Sequence, residues 1–171
     1  MPFALAVTMV TAVALSLIIL GTLGAVLAAW QLCAWLAAGG VPAVAEIWRH
    51  SGVTGDLMVS MFEYLPGVLM AAILLQGAAT WVGLGLLWRR PGARRAAIAL
   101  AALGGSAAIA ARALTHYALL DLARGFPDRA AFALAADWLA LQATLVALAV
   151  AAAMILLLVQ PAVRRQFSSG S

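Results

Sequence analysis

Arg112 and His116 stand one helical turn apart inside an apolar run over residues 96–120, and two carboxylates, Glu63 and Asp137, border two further runs. A guanidinium, an imidazole and a carboxylate at neighbouring depths can form an ion pair or bind an anionic or quinone-like headgroup. Centring the run near Ala108 puts the Cα of Arg112 about 6 Å outward of a bilayer midplane. A charge there costs about 2.5–3.5 kcal/mol on insertion scales, so it is expected to be paired or functional. Outward snorkelling of the side chain brings Asp137 or Glu63 within reach. The cluster therefore reads first as a structural ion pair fixing helix register, second as an outward-facing headgroup pocket, and third as snorkelling to lipid phosphates. Gln76 and Thr80 fall near the middle of another run. Interhelical hydrogen bonding is the commoner role of such groups, ahead of lining a solute path.

Other chemistries lack their residues. His50 and His116 are the two histidines. A haem held between two helices needs inward histidines at matching depth, and His50 falls in a connecting segment, residues 46–50, that reads as a short interfacial helix. A metal site from His50, His116 and an acid is similarly weak. Cys33 is the single cysteine, which excludes an intrachain disulfide and any C-x-x-C cluster. Gly83-Leu84-Gly85 and Gly104-Gly105-Ser106 read as packing glycines, because a phosphate loop needs a preceding strand and usually a Lys, and all ten basic residues are Arg. No Gly-x-Ser-x-Gly or credible Ser/His/Asp spacing occurs. No cofactor or metal is predicted, with haem or quinone as the alternatives, and no catalytic residue is assigned.

The elements that must position these groups follow from composition. The chain of 171 residues is 66% hydrophobic and 9% charged, with a mean hydropathy of +1.07. Soluble domains carry about 45–50% apolar and about 25% charged residues, so a water-soluble globule is excluded. A crossing needs about 20 apolar residues. Four stretches qualify, at residues 4–36, 67–88, 96–120 and 138–159, giving one transmembrane domain over residues 1–171. The first lacks a basic n-region and is expected to be a retained span rather than a cleaved signal. Pro66 marks either the start of the second span or a kink in a longer helix. Pro127-Asp128 resembles a helix start leading into the fourth. Gly39-Gly40, Arg124-Gly125 and the Ser168–Ser171 tail read as loop or terminus signals.

Charge placement sets the expected orientation. Arg89, Arg90, Arg94 and Arg95 lie between spans two and three, and Arg164 and Arg165 follow span four, with no acid in either place. All six acids fall on the opposite side. The positive-inside rule then puts both termini in the cytoplasm, and an even number of spans agrees. These flanking positions argue for lipid contact rather than nucleic acid, despite a pI near 10.6. Arg-only, Ala-rich usage suggests a bacterial inner membrane. The six Trp fall mostly at span ends, as in an aromatic belt.

Helices in hydrocarbon associate through small-residue stripes and hydrogen bonds. Ala97, Ala101, Gly105, Ala108, Arg112 and His116 share one face of span three, with Leu103 and Leu114 opposite. Ala72, Gln76, Thr80 and Gly83 share a face of span two, and Asp137, Ala140, Thr144, Ala147 and Ala151 one of span four. The expected fold is an all-α, four-helix transmembrane bundle with its polar groups inside and short interfacial helices on the external side. The function expected is that of a non-catalytic subunit or scaffold of a larger membrane complex, partnered by other subunits or by copies of itself. The alternatives are a small transporter using Gln76, Arg112, His116 and Asp137, or a quinone- or haem-associated redox protein.

Overall fold

A computed structural model describes residues 3–40, 46, 56–125 and 130–167 of the chain. Those residues are helical apart from short turns. The helices are α1 (Phe3–Ala37), α2 (Asp56–Leu87), α3 (Pro91–Gly125), α4 (Ala130–Val159) and a short α5 (Pro161–Arg165). The first four are long and apolar enough to cross a membrane. The chain is therefore a multi-pass helical membrane protein by length and composition. The expected interfacial helix around residues 46–50, the histidine His50 and the Pro127-Asp128 helix start lie outside the described residues, Glu46 excepted.

Helix boundaries run beyond the four expected spans. α2 continues through Pro66 back to Asp56, so the proline lies within the helix rather than at its start. α3 starts earlier and ends later than the expected span, running from Pro91, a good first-turn residue, to Gly125, where Arg124-Gly125 signalled a terminus. Gly39 does end α1: its φ of 91° suits glycine alone.

The helices pack as two antiparallel hairpins, α1 against α2 and α3 against α4. Close approach in the first depends on glycine. A Cβ on Gly21 would sit 2.7 Å from the Gln76 carbonyl oxygen, and one on Gly83 would sit 2.8 Å from the Ala14 carbonyl oxygen. In the second, Gly105 lets Leu148 and Ala151 of α4 lie against α3.

The hairpins meet at one end. Val10 and Ala14 of α1, Leu86 of α2, Ala97 of α3, Leu158 of α4, Val163 of α5 and Phe167 form a buried cluster there. A four-helix bundle is thus closed at this end, while elsewhere burial is mostly within hairpins. The expected common interior holding all polar groups is not formed: each hairpin keeps its own. Lipid tails are as apolar as leucine, so nothing drives the remaining apolar faces together. Leu74, Trp81, Leu134 and Leu156 are each 70% exposed, as lipid-facing side chains should be.

Two arginines expected to serve only as membrane-surface flanks hold the closed end. Arg89 occupies the left-handed region at φ 54° in the α2–α3 turn. Its guanidinium donates to Gln166 Oε1 and, at 3.4 Å each, to the Val7 carbonyl of α1 and Thr11 Oγ1. Arg94 Nη1 donates to the Leu158 carbonyl at 3.1 Å. That carbonyl is among the last four of α4, which have no partner within the helix, and a cation there also complements the helix dipole.

Candidate functional site

The far end of the α3–α4 hairpin carries the polar cluster. α3 presents Arg112 and His116 on one face because they are four residues apart. α4 presents Asp137 seven residues into its helix, on the face that also carries Ala140, Thr144 and Ala151. The apolar spans of these helices, Pro91–Leu120 and Ala131–Val159, place Arg112 about 10 Å and Asp137 about 12 Å from their centres. The two charges are therefore at matching depth.

Asp137 joins both α3 residues. Arg112 Nη2 donates to Asp137 Oδ2 at 2.9 Å, and Arg112 Nη1 lies 2.8 Å from Oδ1 as an ion pair without hydrogen-bond alignment. His116 Nδ1 lies 3.0 Å from the same Oδ1. A carboxylate only accepts, so Nδ1 is the donor of this bond, and Nε2 is the ring nitrogen left outside it. The side chains of Arg112 and Asp137 are 18% and 24% exposed and that of His116 is 44% exposed. Arg112 Nε is buried with no hydrogen-bond partner among the described residues.

Beside the pair is a small open cleft of about 50 Å³ lined by His116, Asp137, Leu119, Leu120, Ala123, Ala133 and Leu134. Ligand pockets usually measure about 300–1,000 Å³, so this one takes a chain end or a single polar group at its mouth rather than a whole cofactor. An imidazole edge on an apolar cleft can hydrogen-bond one polar atom of an amphiphile. Among the described residues no group of three or more His, Cys, Asp or Glu is placed to hold a metal ion.

The other predicted residues lie apart from this cluster. Glu63 is exposed near the start of α2 and makes no ion pair among the described residues, so of the two acids weighed for Arg112 it is Asp137 that meets it. Gln76 is in the α1–α2 hairpin, packed on Gly24, where an added Cβ would meet its amide carbon at 2.7 Å. Thr80 Oγ1 donates to the Gln76 carbonyl at 3.2 Å and stands 3.4 Å from Thr22 Oγ1 across the hairpin. Gln76 and Arg112 therefore belong to different hairpins. Of the small-residue faces, those on α2 and α3 are turned inward, whereas Ala147 of α4 is exposed and Leu148 takes the inward place against Gly105.

Sequence reasoning missed Arg89 and Gln166, which meet across 77 positions of chain. Local pattern carries no signal for such a contact.

No protein-family model matches the chain, and no curated protein or solved structure is significantly similar to it.

Proposed function

We propose that this protein is a small non-catalytic subunit or scaffold of a larger membrane assembly, most consistent with a bacterial inner membrane and with both termini cytoplasmic. One observation carries this reading: the charged groups within the spans, and one pair of threonines, tie helices together. Thr22 and Thr80 face each other between α1 and α2, and Arg112, His116 and Asp137 bind α3 to α4. They converge neither on a nucleophile nor on a path shared by the two hairpins, as transport through Gln76 and Arg112 would need. The bilayer and neighbouring membrane subunits, or further copies of the chain, are the partners such a fold requires.

Isolation from native membrane in a mild detergent tests the proposal. Stoichiometric co-purification with other membrane polypeptides is expected. A chain that purifies alone and supports solute flux in liposomes, lost in a folded Arg112→Ala variant, overturns it.

A second reading rests on His116. With Nδ1 donating to Asp137, a neutral imidazole offers Nε2 as an acceptor beside an apolar cleft, an arrangement suited to a hydroxyl of a quinol-like headgroup. A native preparation retaining extractable quinone, and losing it in His116→Phe, would favour this reading. A colourless preparation would count against haem.

A further inference from the structure

Gln142 of α4 is a polar side chain on the wrong side of its helix. It lies about 4.5 Å from the centre of the Ala131–Val159 span. At 100° per residue it points about 140° or more away from Asp137, Ala140, Thr144 and Ala151, the residues facing α3. It is exposed, and no residue among those described hydrogen-bonds its amide. Within about 40° of it on the same face lie Ala131, Ala135, Trp138, Val146, Ala149, Ala153 and Leu156, all exposed. α4 is the least buried of the four spans. The serine and threonine hydroxyls of α3 and α4 are satisfied within their own helices: Ser106, Thr115 and Thr144 each donate to the carbonyl four residues back. Gln142, by contrast, has no such solution at its end of a longer side chain, and hydrocarbon offers neither donor nor acceptor.

We infer that α4 pairs with α4 of a second copy of this chain through Gln142. The occupant follows from the amide itself. A carboxamide both donates and accepts, so two of them related by a two-fold axis satisfy each other reciprocally. Two copies inserted with the same topology bring the same residue to the same depth when the axis lies along the membrane normal. A different polypeptide would need its own polar group placed at that height. Ala149 and Ala153 allow close approach of the helix backbones on one side of the amide pair, and on the other side the indole of Trp138 borders the amide. The dimer rests on the subunit reading above in one respect, that the chain works as an assembled membrane protein, and it names the partner.

Two measurements on the full chain test the dimer. Cys33 is the single cysteine and is exposed, so donor- and acceptor-labelled protein reconstituted in phosphatidylethanolamine–phosphatidylglycerol vesicles reports association by energy transfer. Gln142→Leu should weaken the dimer by about 3- to 20-fold, the span measured for interhelical hydrogen bonds converted to affinity. In a Cys33→Ala background, oxidation should cross-link single cysteines placed at Gln142, Ala149 and Ala153 far faster than one at Ala140. The second measurement does not depend on how Gln142→Leu folds. A monomer at every protein-to-lipid ratio, association indifferent to Gln142→Leu, or cross-links on the Ala140 face would each overturn the pairing. Capture of a different polypeptide by a chain that remains single would also overturn it while leaving the subunit reading standing. A dimer that purifies with no other polypeptide would support the pairing and sink the larger assembly.

Discussion

Two glycines of similar setting should respond oppositely to the same substitution. In Gly21→Ala the new methyl would lie 2.7 Å from the Gln76 carbonyl oxygen and 2.9 Å from the Thr80 backbone nitrogen, against an ordinary contact of 3.4 Å or more. Backbone cannot rotate away, so α1 and α2 must separate by about 0.5 Å. Overpacking of this kind costs about 1–3 kcal/mol. Separation also forfeits the Thr22–Thr80 contact, already 3.4 Å long, at about 0.6 kcal/mol. Replacing glycine in a helix returns about 1 kcal/mol. The net expectation is a loss of about 0.5–2.5 kcal/mol. Gly77→Ala on α2 has nothing within 4 Å of the added methyl, so it keeps the helix gain without the clash and should be neutral or stabilising by up to about 1 kcal/mol. Unfolding of the purified chain in mixed micelles by graded sodium dodecyl sulfate, followed by tryptophan fluorescence, measures both. Equal losses in the two variants, or silence in both, would refute the close α1–α2 packing.

Three further outcomes follow from named contacts. Arg112→Leu and Asp137→Leu should each destabilise the chain, with the double variant recovering most of the loss, because each single change strands one member of a partly buried pair; coupling of Arg112 with Glu63 should be zero, and the reverse assignment by double-mutant cycle would displace Asp137. Arg89→Ala should release the C-terminal segment from α1. Hydrogen exchange at residues 163–167 should rise roughly tenfold, on the basis of about 1.5 kcal/mol for a hydrogen bond to a charged group, and unchanged protection would show that Val163 and Phe167 hold it alone. A membrane-impermeant thiol reagent should label Ser51→Cys from outside and Ser169→Cys only from inside, in a Cys33→Ala background, and the opposite pattern would invert the proposed orientation.

The sequence made the helices legible because membrane spans announce themselves by length and composition alone. The Arg112–Asp137 contact was also within reach. Both are costly in hydrocarbon, and outward snorkelling of Arg112 brought an acid at the span boundary within reach, though Glu63 could not be separated from Asp137 without knowing which helices pair. That pairing was the illegible part. Small-residue stripes say which face touches a neighbour and not which neighbour, so one shared polar interior was expected where the bundle keeps its polar groups within two hairpins. The roles of Arg89 and Arg94 were hidden for a related reason. As flanking arginines they satisfy a topology rule wherever they point, and only the fold reveals that they reach Gln166 and the Leu158 carbonyl. Gln142 was hidden differently: no inward stripe includes it, and its meaning appears once α4 is seen to face α3 on the opposite side.

Division into hairpins has an energetic consequence. Gly21 acts through the Gln76 and Thr80 contacts between α1 and α2, and Asp137 acts through Arg112 and His116 between α3 and α4. They share no partner and sit in different helix pairs, a condition under which mutational effects add within about 0.3–0.5 kcal/mol. Gly21→Ala combined with Asp137→Leu should therefore cost the sum of the two. Arg89 is different. Its guanidinium contacts α1 and Gln166, and its backbone forms the α2–α3 turn, so it borders both hairpins at the closed end. Arg89→Ala should couple to Leu158→Ala, whose side chain lies in the same buried cluster, by more than that additivity limit. If Gly21 and Asp137 prove strongly coupled while Arg89 and Leu158 do not, the polar groups of the two hairpins share one interior after all, and the picture of separate pairs joined at an arginine-held end fails.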